Sequence, residues 1–190
     1  MACATLLMAG LKEFNPFVVF LIVLLFGILV GLITGGVITK FNAPPFIVTL
    51  GFMSAYTGLG LTYSMGHPII GVPKILAFLG QGKVFQIPIQ VIIFVVIAIL
   101  ASLILKYIPF GRYVYAVGGN PEASKLSGVA VKKIIISVYM ISGLLSALAG
   151  TIMAAHLNVG EASLGVGIEL DAIAAVAIGG TNFKGGREKS

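Results

Sequence analysis

The chain has 190 residues, 58% of them hydrophobic, with 12 basic and 6 acidic side chains and a mean hydropathy of +1.11. Charged residues make up 9%, against about a quarter in a soluble domain, too few to cover a water-facing surface, so a cytosolic enzyme and a disordered chain are both excluded. The single cysteine, Cys3, excludes an internal disulfide framework and a paired-cysteine metal or redox site. The net charge of +6 would suggest nucleic acid in a soluble protein; here it is read by position, because Lys and Arg mark the cytoplasmic side of membrane proteins.

Charge-free stretches mark the spans. There are 26 uncharged residues between Glu13 and Lys40, 33 between Lys40 and Lys74, 22 between Lys83 and Lys106, and 27 between Lys133 and Glu161. A membrane helix needs about 20 apolar residues at ~1.5 Å rise each. The expected fold is therefore all-α, a multi-pass transmembrane helical bundle forming a single unit over 1–190. In chain order, segment 1–10 is apolar but too short to span, and 11–15 follows as a loop. No basic stretch precedes it, so it is not a signal peptide. Spans are expected over 16–39, 46–63, 87–107 and 134–157. The second lies between Pro45 and Pro68 and is interrupted by Gly51, Gly58 and Gly60; the third has Pro88 in its first turn. Segment 169–180 is a further apolar run that stops at Gly179-Gly180 before the polar tail 184–190. Segments 1–10 and 169–180 read as partial membrane segments and the chain as an internal piece of a longer membrane protein; the alternative is a short interfacial segment at each end.

Lys106, Arg112, Lys125, Lys132 and Lys133 sit in or beside one connection, 108–133, which the positive-inside rule makes cytoplasmic. Alternation places 64–86 and 158–168 outside and 40–45 inside. Lys74 and Lys83 oppose this orientation but are fewer.

Gly27, Gly31 and Gly35 form a small-residue ridge on the first span, and Ser142, Ser146, Gly150 and Ala154 one on the fourth. Residues four apart share a helix face, and small ones let backbones approach closely. Static packing is preferred over a sliding surface for most of them. The cytoplasmic connection holds Asn120-Pro121-Glu122-Ala123-Ser124-Lys125-Leu126-Ser127-Gly128, which has the parts of a short capped helix. Asn120 suits the N-cap, Pro121 the first helical position and Glu122 the positive dipole end, and Gly128 can take the left-handed conformation that ends a helix. On spacing alone, a docking handle and an ordinary helical loop stand equal.

Glu122-Ala123-Ser124-x-x-x-Gly128 resembles the EAAxxxG signature in the cytoplasmic loop of ABC importer permeases. Gly111-Arg112-Tyr113-Val114-Tyr115-Ala116-Val117-Gly118-Gly119-Asn120 is similar to permeases of the ribose, galactose and xylose type. So are Pro45-Phe46-Ile47-Val48-Thr49-Leu50-Gly51 and Glu169-Leu170-Asp171-Ala172-Ile173-Ala174-Ala175-Val176. The resemblance covers nearly the whole chain. It departs from the signature at Ser124, where the third position is Ala, and in length, since the family has more membrane helices.

The resemblance implies a coupling helix made by Asn120, Pro121, Glu122, Ala123, Ser124, Leu126 and Gly128, with Glu122, Ser124 and Leu126 contacting an ABC ATPase subunit. It implies a second permease subunit, an external sugar-binding protein docking on 64–86 and 158–168, and residence in the lipid bilayer of a bacterial inner cell membrane. The chain would be a transport subunit, with no catalytic residue, metal or cofactor of its own. ATP and Mg would be bound by the ATPase, and Gly185-Gly186-Arg187 does not make a phosphate loop.

A sugar pathway needs hydroxyls and flat rings without fixed charge. Thr49, Ser54, Tyr56, Thr57, Thr62 and Tyr63 on the second span supply that surface, although each Ser or Thr can instead bond its own helix carbonyl. Intramembrane acids mark pathways or pairs. Glu169 reads as a helix start, while Asp171, lying deeper, is either that or a pathway residue at an outer mouth. His156 and His67 read as satisfied interfacial and loop residues. The runner-up functions are an ATP-independent secondary transporter or channel, and a truncated product without function.

Overall fold

The computed structural model describes residues 1–11, 15–84 and 86–179, the side chains of 74 and 75 apart. The expected turn at Gly179-Gly180, the tail 184–190 and most of the loop 11–15 lie outside the described residues. In chain order the helices are α1 (Ala2–Gly10), α2 (Pro16–Phe41), α3 (Pro45–Ser64), α4 (Lys74–Gln81), α5 (Ile89–Tyr107), α6 (Pro109–Gly119), α7 (Pro121–Leu126), α8 (Val131–Leu157) and α9 (Ile168–Ile178). Among the described residues, four of them are long and apolar enough to cross a membrane: α2, α3, α5 and α8.

Local chemistry fixes their ends. Asn15 caps α2 by accepting a bond from the Phe17 N–H at 3.1 Å, with Pro16 at the first helical position, and Asn42 closes it in the left-handed region at φ 49°. α3 runs unbroken through Gly51, Gly58 and Gly60, so the expected interruption does not occur. Each glycine costs about 1 kcal/mol of helix propensity, but apolar surroundings offer the backbone no partners other than its own helix. Pro88 stands before α5 as its N-cap rather than in its first turn, and α8 begins at Val131, three residues before the expected start.

The core is the seam between α2 and α8. A Cβ on Gly27 would come 2.5 Å from the Ala147 Cβ, one on Gly31 would overlap the Tyr139 carbonyl oxygen, and one on Gly35 would lie 3.0 Å from the Ile136 Cα. The glycine ridge of α2 packs closely on α8, and the opposed numbering makes the two helices antiparallel. On α8 the seam uses Gly143 and Ala147, one position displaced from the expected ridge. Ser146 lies beside the seam rather than in it, and Gly150 faces α1, where its Cβ would come 2.9 Å from the Met1 carbonyl oxygen and 3.1 Å from the Ala4 Cβ. Rows of residues four apart drift by about 40° per step around a 3.6-residue helix, so one ridge serves two neighbours in turn.

α1 is the most deeply packed segment. Leu6, Met8 and Ala9 are at most 2% exposed, and Thr5 Oγ1 donates to the carbonyl oxygens of Ala2 at 2.7 Å and Glu161 at 2.9 Å. It is a core helix, not an interfacial appendage.

At one end of the bundle, β1 (Ile69–Ile70) pairs antiparallel with β4 (Val159–Gly160), Ile69 opposite Gly160, so the connections after α3 and α8 form one surface. There Asn158 accepts from Gly71 N through its carbonyl at 3.1 Å and from Val72 N through Oδ1 at 3.1 Å. β2 (Lys83–Val84) and β3 (Ile87–Pro88) make a hairpin beside it. The opposite end collects the 40–45 turn, α6 and α7. The helix directions thus gather Lys40, Lys106, Arg112, Lys125, Lys132 and Lys133 at that end, where Glu122 is the only acid among the described residues.

Candidate functional site

Helices α1, α2, α3 and α8, with the start of α9 and the segment before it, line an open cavity of about 580 Å³. Its polar lining includes Thr34, Thr49, Tyr56, Thr57, Ser142, Ser146 and Glu169. Phe52 and Tyr56, one turn apart on α3, stack with ring centroids 5.5 Å apart and planes 15° from parallel. Thr34 Oγ1 donates to Val30 O at 2.8 Å and Thr49 Oγ1 to Phe46 O at 3.0 Å. These two hydroxyls spend their hydrogens on their own helices, and that of Thr34 also meets the Tyr56 hydroxyl. Thr62, outside the cavity, likewise donates to Gly58 O at 2.9 Å.

The cavity selects among the residues expected from the sequence. Thr49, Tyr56 and Thr57 line it together; Ser54 is exposed away from it, and Tyr63 borders a smaller apolar pocket with Leu6 and Leu59. The two acids of α9 divide differently from expectation. Glu169 lines the cavity, whereas Asp171 is exposed in the first turn and lies off the lining. Two residues apart on a helix is about 200°, so only one of them can face inward. Glu169 is also the helix start it was read as, since its Oε2 accepts from Gly167 N at 2.9 Å.

Thr34, Tyr139 and Glu169 carry the cavity without being counted in its lining from the sequence. A signal for Thr34 exists: it lies seven residues from Gly27 and three from Gly31, on the side of the ridge. The start of α9 is also deeper than the outer mouth expected for it. A Cβ on Gly165 would come 3.1 Å from Met1, the residue that Gly150 also meets, and Gly150 lies about 10 Å below the end of α8 at 1.5 Å per residue. The irregular segment before α9 thus dips back into the bundle. Non-helical backbone is tolerated at that depth where protein buries it or a polar cavity flanks it.

At the end bearing β1 and β4, His156 is satisfied rather than poised as a ligand. Its Nδ1 lies 3.0 Å from both Gly80 O and Gln90 Nε2, and Gln90 Nε2 donates to Gly80 O at 2.6 Å. The cluster ties α8, α4 and α5 together. Among the described residues no group of His, Cys, Asp and Glu could hold a metal ion.

At the basic end, α7 is capped as its sequence requires. Asn120 Oδ1 accepts from Ala123 N at 3.0 Å, with Pro121 at the first position and Glu122 in the first turn. Gly128 turns left-handed at φ 83°. Its N–H donates to Lys125 O at 3.1 Å, and Val129 N donates to Ser124 O at 3.0 Å, the double closure of a Schellman end. Leu126 is 90% exposed while Ser124 is 6% exposed. Ser124 therefore seats the helix on its neighbours and is not part of the outward face, which Glu122, Ala123 and Leu126 provide.

The chain belongs to the family described as branched-chain amino acid transport system / permease component, whose model matches residues 1–186. It is 42% identical over 179 residues to the ribose import permease protein of Haemophilus influenzae, covering 92% of this chain and 55% of that protein. It is 42% identical over 155 residues to the ribose import permease protein of Bacillus subtilis, covering 80% and 48%. It is 37% identical over 176 residues to the galactose/methyl galactoside import permease protein of Haemophilus influenzae, covering 89% and 52%. The chain spans about half the length of these relatives. No solved structure matches it.

Proposed function

We propose that this chain forms part of the permease subunit of an ATP-driven ABC importer that carries a neutral monosaccharide, ribose-like, across the bacterial inner membrane. The names of the sugar permeases to which it is similar support the substrate class. The single observation that carries the choice within a family described by amino-acid transport is the charge of the cavity. Among the described side chains lining it, Glu169 is the only charged one. A solute carboxylate would meet that of Glu169, with no Lys or Arg side chain in the described lining to offset it; the start of α1, Met1–Ala4, which has no side-chain cap, also lines the cavity. The stacked Phe52–Tyr56 pair and the Thr49 hydroxyl suit a polyol that donates hydrogen bonds. The volume falls within the ~300–1,000 Å³ usual for small-molecule sites.

In this reading α7 seats in an ATPase partner that binds ATP and Mg, a second permease subunit completes the pathway, and a sugar-binding protein docks on the end joined by β1 and β4. The alternative of ion-coupled transport would rest on Glu169 among the described charged side chains, because the interiors of α2, α3, α5 and α8 hold none. The test is uptake of radiolabelled ribose by cells that express the protein with its ATPase and binding protein. Ribose is expected to enter and leucine to neither enter nor compete, and a hydrolysis-dead ATPase is expected to abolish uptake. Uptake undiminished with the dead ATPase, or competition by leucine, overturns the reading.

A further inference from the structure

No residue of α5 is buried, and Phe94, Ile99 and Leu103 leave an exposed apolar wall along it. That wall ends in Lys106, whose Nζ lies 5.5 Å from the centre of the Tyr107 ring. The chain bends at Ile108, which is extended at φ −90° and ψ 142°, and resumes as α6. A Cβ on Gly111 would overlap the Leu105 carbonyl oxygen, so α6 is held tightly against the last turn of α5. Gly111 and Val117 form its buried side. At about 100° per residue, Arg112 is directly opposite, flanked by Tyr113 and Tyr115, which are 46% and 68% exposed. α6 also packs on α8, whose first turn carries exposed Lys132 and Lys133.

We infer that this basic end of α5, α6 and α8, with Lys106, Arg112, Lys132 and Lys133 and the phenols of Tyr107, Tyr113 and Tyr115, binds the headgroups of anionic phospholipids in the adjoining leaflet. Two observations select that occupant. Cations with Glu122 as the only described acid at the same end demand an anionic partner. The apolar wall of α5 runs directly into a mixed band of cations and phenols, the composition of a bilayer's interfacial and headgroup region. Protein docking is better served by α7, whose exposed Leu126 projects without aromatic neighbours of this kind. The inference requires that α5 crosses the membrane and that its Phe94–Leu103 face meets lipid, and it is independent of which solute is carried.

The test is native mass spectrometry of the detergent-solubilised full protein, titrated with phosphatidylglycerol or phosphatidylcholine. Phosphatidylglycerol is expected to bind more tightly, with the preference shrinking as salt rises. Arg112→Gln and Lys106→Gln are each expected to reduce the preference about fivefold, the factor for one cation near a charged surface. Arg112→Lys should restore most of it, and Lys83→Gln, at the opposite end, should leave it intact. Equal binding of the two lipids overturns the inference, as does an equal loss with Lys83→Gln. It is also overturned if Arg112→Gln spares the lipid preference and instead weakens association with the ATPase.

Discussion

Glu169 and Asp171 differ by one methylene and two positions, yet geometry gives them separate tasks. Glu169 both faces the cavity and caps α9; Asp171 faces out. Asp171→Asn is expected to leave sugar uptake within about twofold of the parent. Glu169→Ala should lower uptake by about tenfold or more, because it removes the inward acceptor and a cap worth about 1 kcal/mol. Equal effects of the two in the same assay would contradict the division of labour. Glycines offer a parallel contrast. A Cβ on Gly31 would come 2.8 Å from the Met140 Cα, whereas one on Gly51 meets nothing within 4 Å. Gly31→Ala should therefore cost about 1–3 kcal/mol by overpacking, and Gly51→Ala nothing or a slight gain in helix propensity, measured as unfolding in detergent. The packing role of Gly27, Gly31 and Gly35 was legible because three glycines at one spacing have few other uses in a membrane helix. The facing partner was not. Ser142/Ser146 and Gly143/Ala147 are adjacent small rows, and only the crossing of α2 decides between them.

The short helix α7 was readable nearly atom by atom, since a cap, a proline and a left-handed glycine act within one or two turns. Its end closes through Gly128 at φ 83° with open space around the position. The effect of a side chain there is conformational rather than steric, about 1–2 kcal/mol for an L-residue in that region. Gly128→Val is expected to leave the protein in the membrane while ATP hydrolysis proceeds without uptake. Normal coupled uptake in that variant would argue against α7 as the coupling element. Leu126→Ala, which shortens a 90% exposed apolar side chain, should weaken ATPase association with no loss of stability. The burial of α1 was not legible. Its partners at Gly150, Gly160 and Glu161 lie far along the chain, and nothing in residues 1–10 distinguishes a core helix from one lying on a bilayer. Nor do the glycines of α3 break it: propensity counts against them, but helix continuity in an apolar medium is decided by backbone hydrogen bonding.

The bundle separates its charges between two ends, and that separation follows from α2 and α8 running antiparallel with α3 and α5 returning beside them. The basic end is expected to face the cytoplasm. A Lys125→Cys protein should react with a membrane-impermeant maleimide in inverted vesicles and not in intact cells; the reverse pattern would reverse the orientation and detach α7 from any cytoplasmic motor. The number of long helices and the distribution of charge could be read from composition alone, because both are sums over the chain. The cavity could not, since it is the space left by five elements whose crossings no local pattern states.

Helix α8 is continuous over 27 residues, about 40 Å at 1.5 Å per residue. Asn158 alone separates it from β4, and the closing turn of α7 leads almost directly into its start. It therefore works as a stiff rod between the two faces of the membrane. A tug on the two-residue ribbon at one face has little slack in which to dissipate before it reaches the short helix at the other.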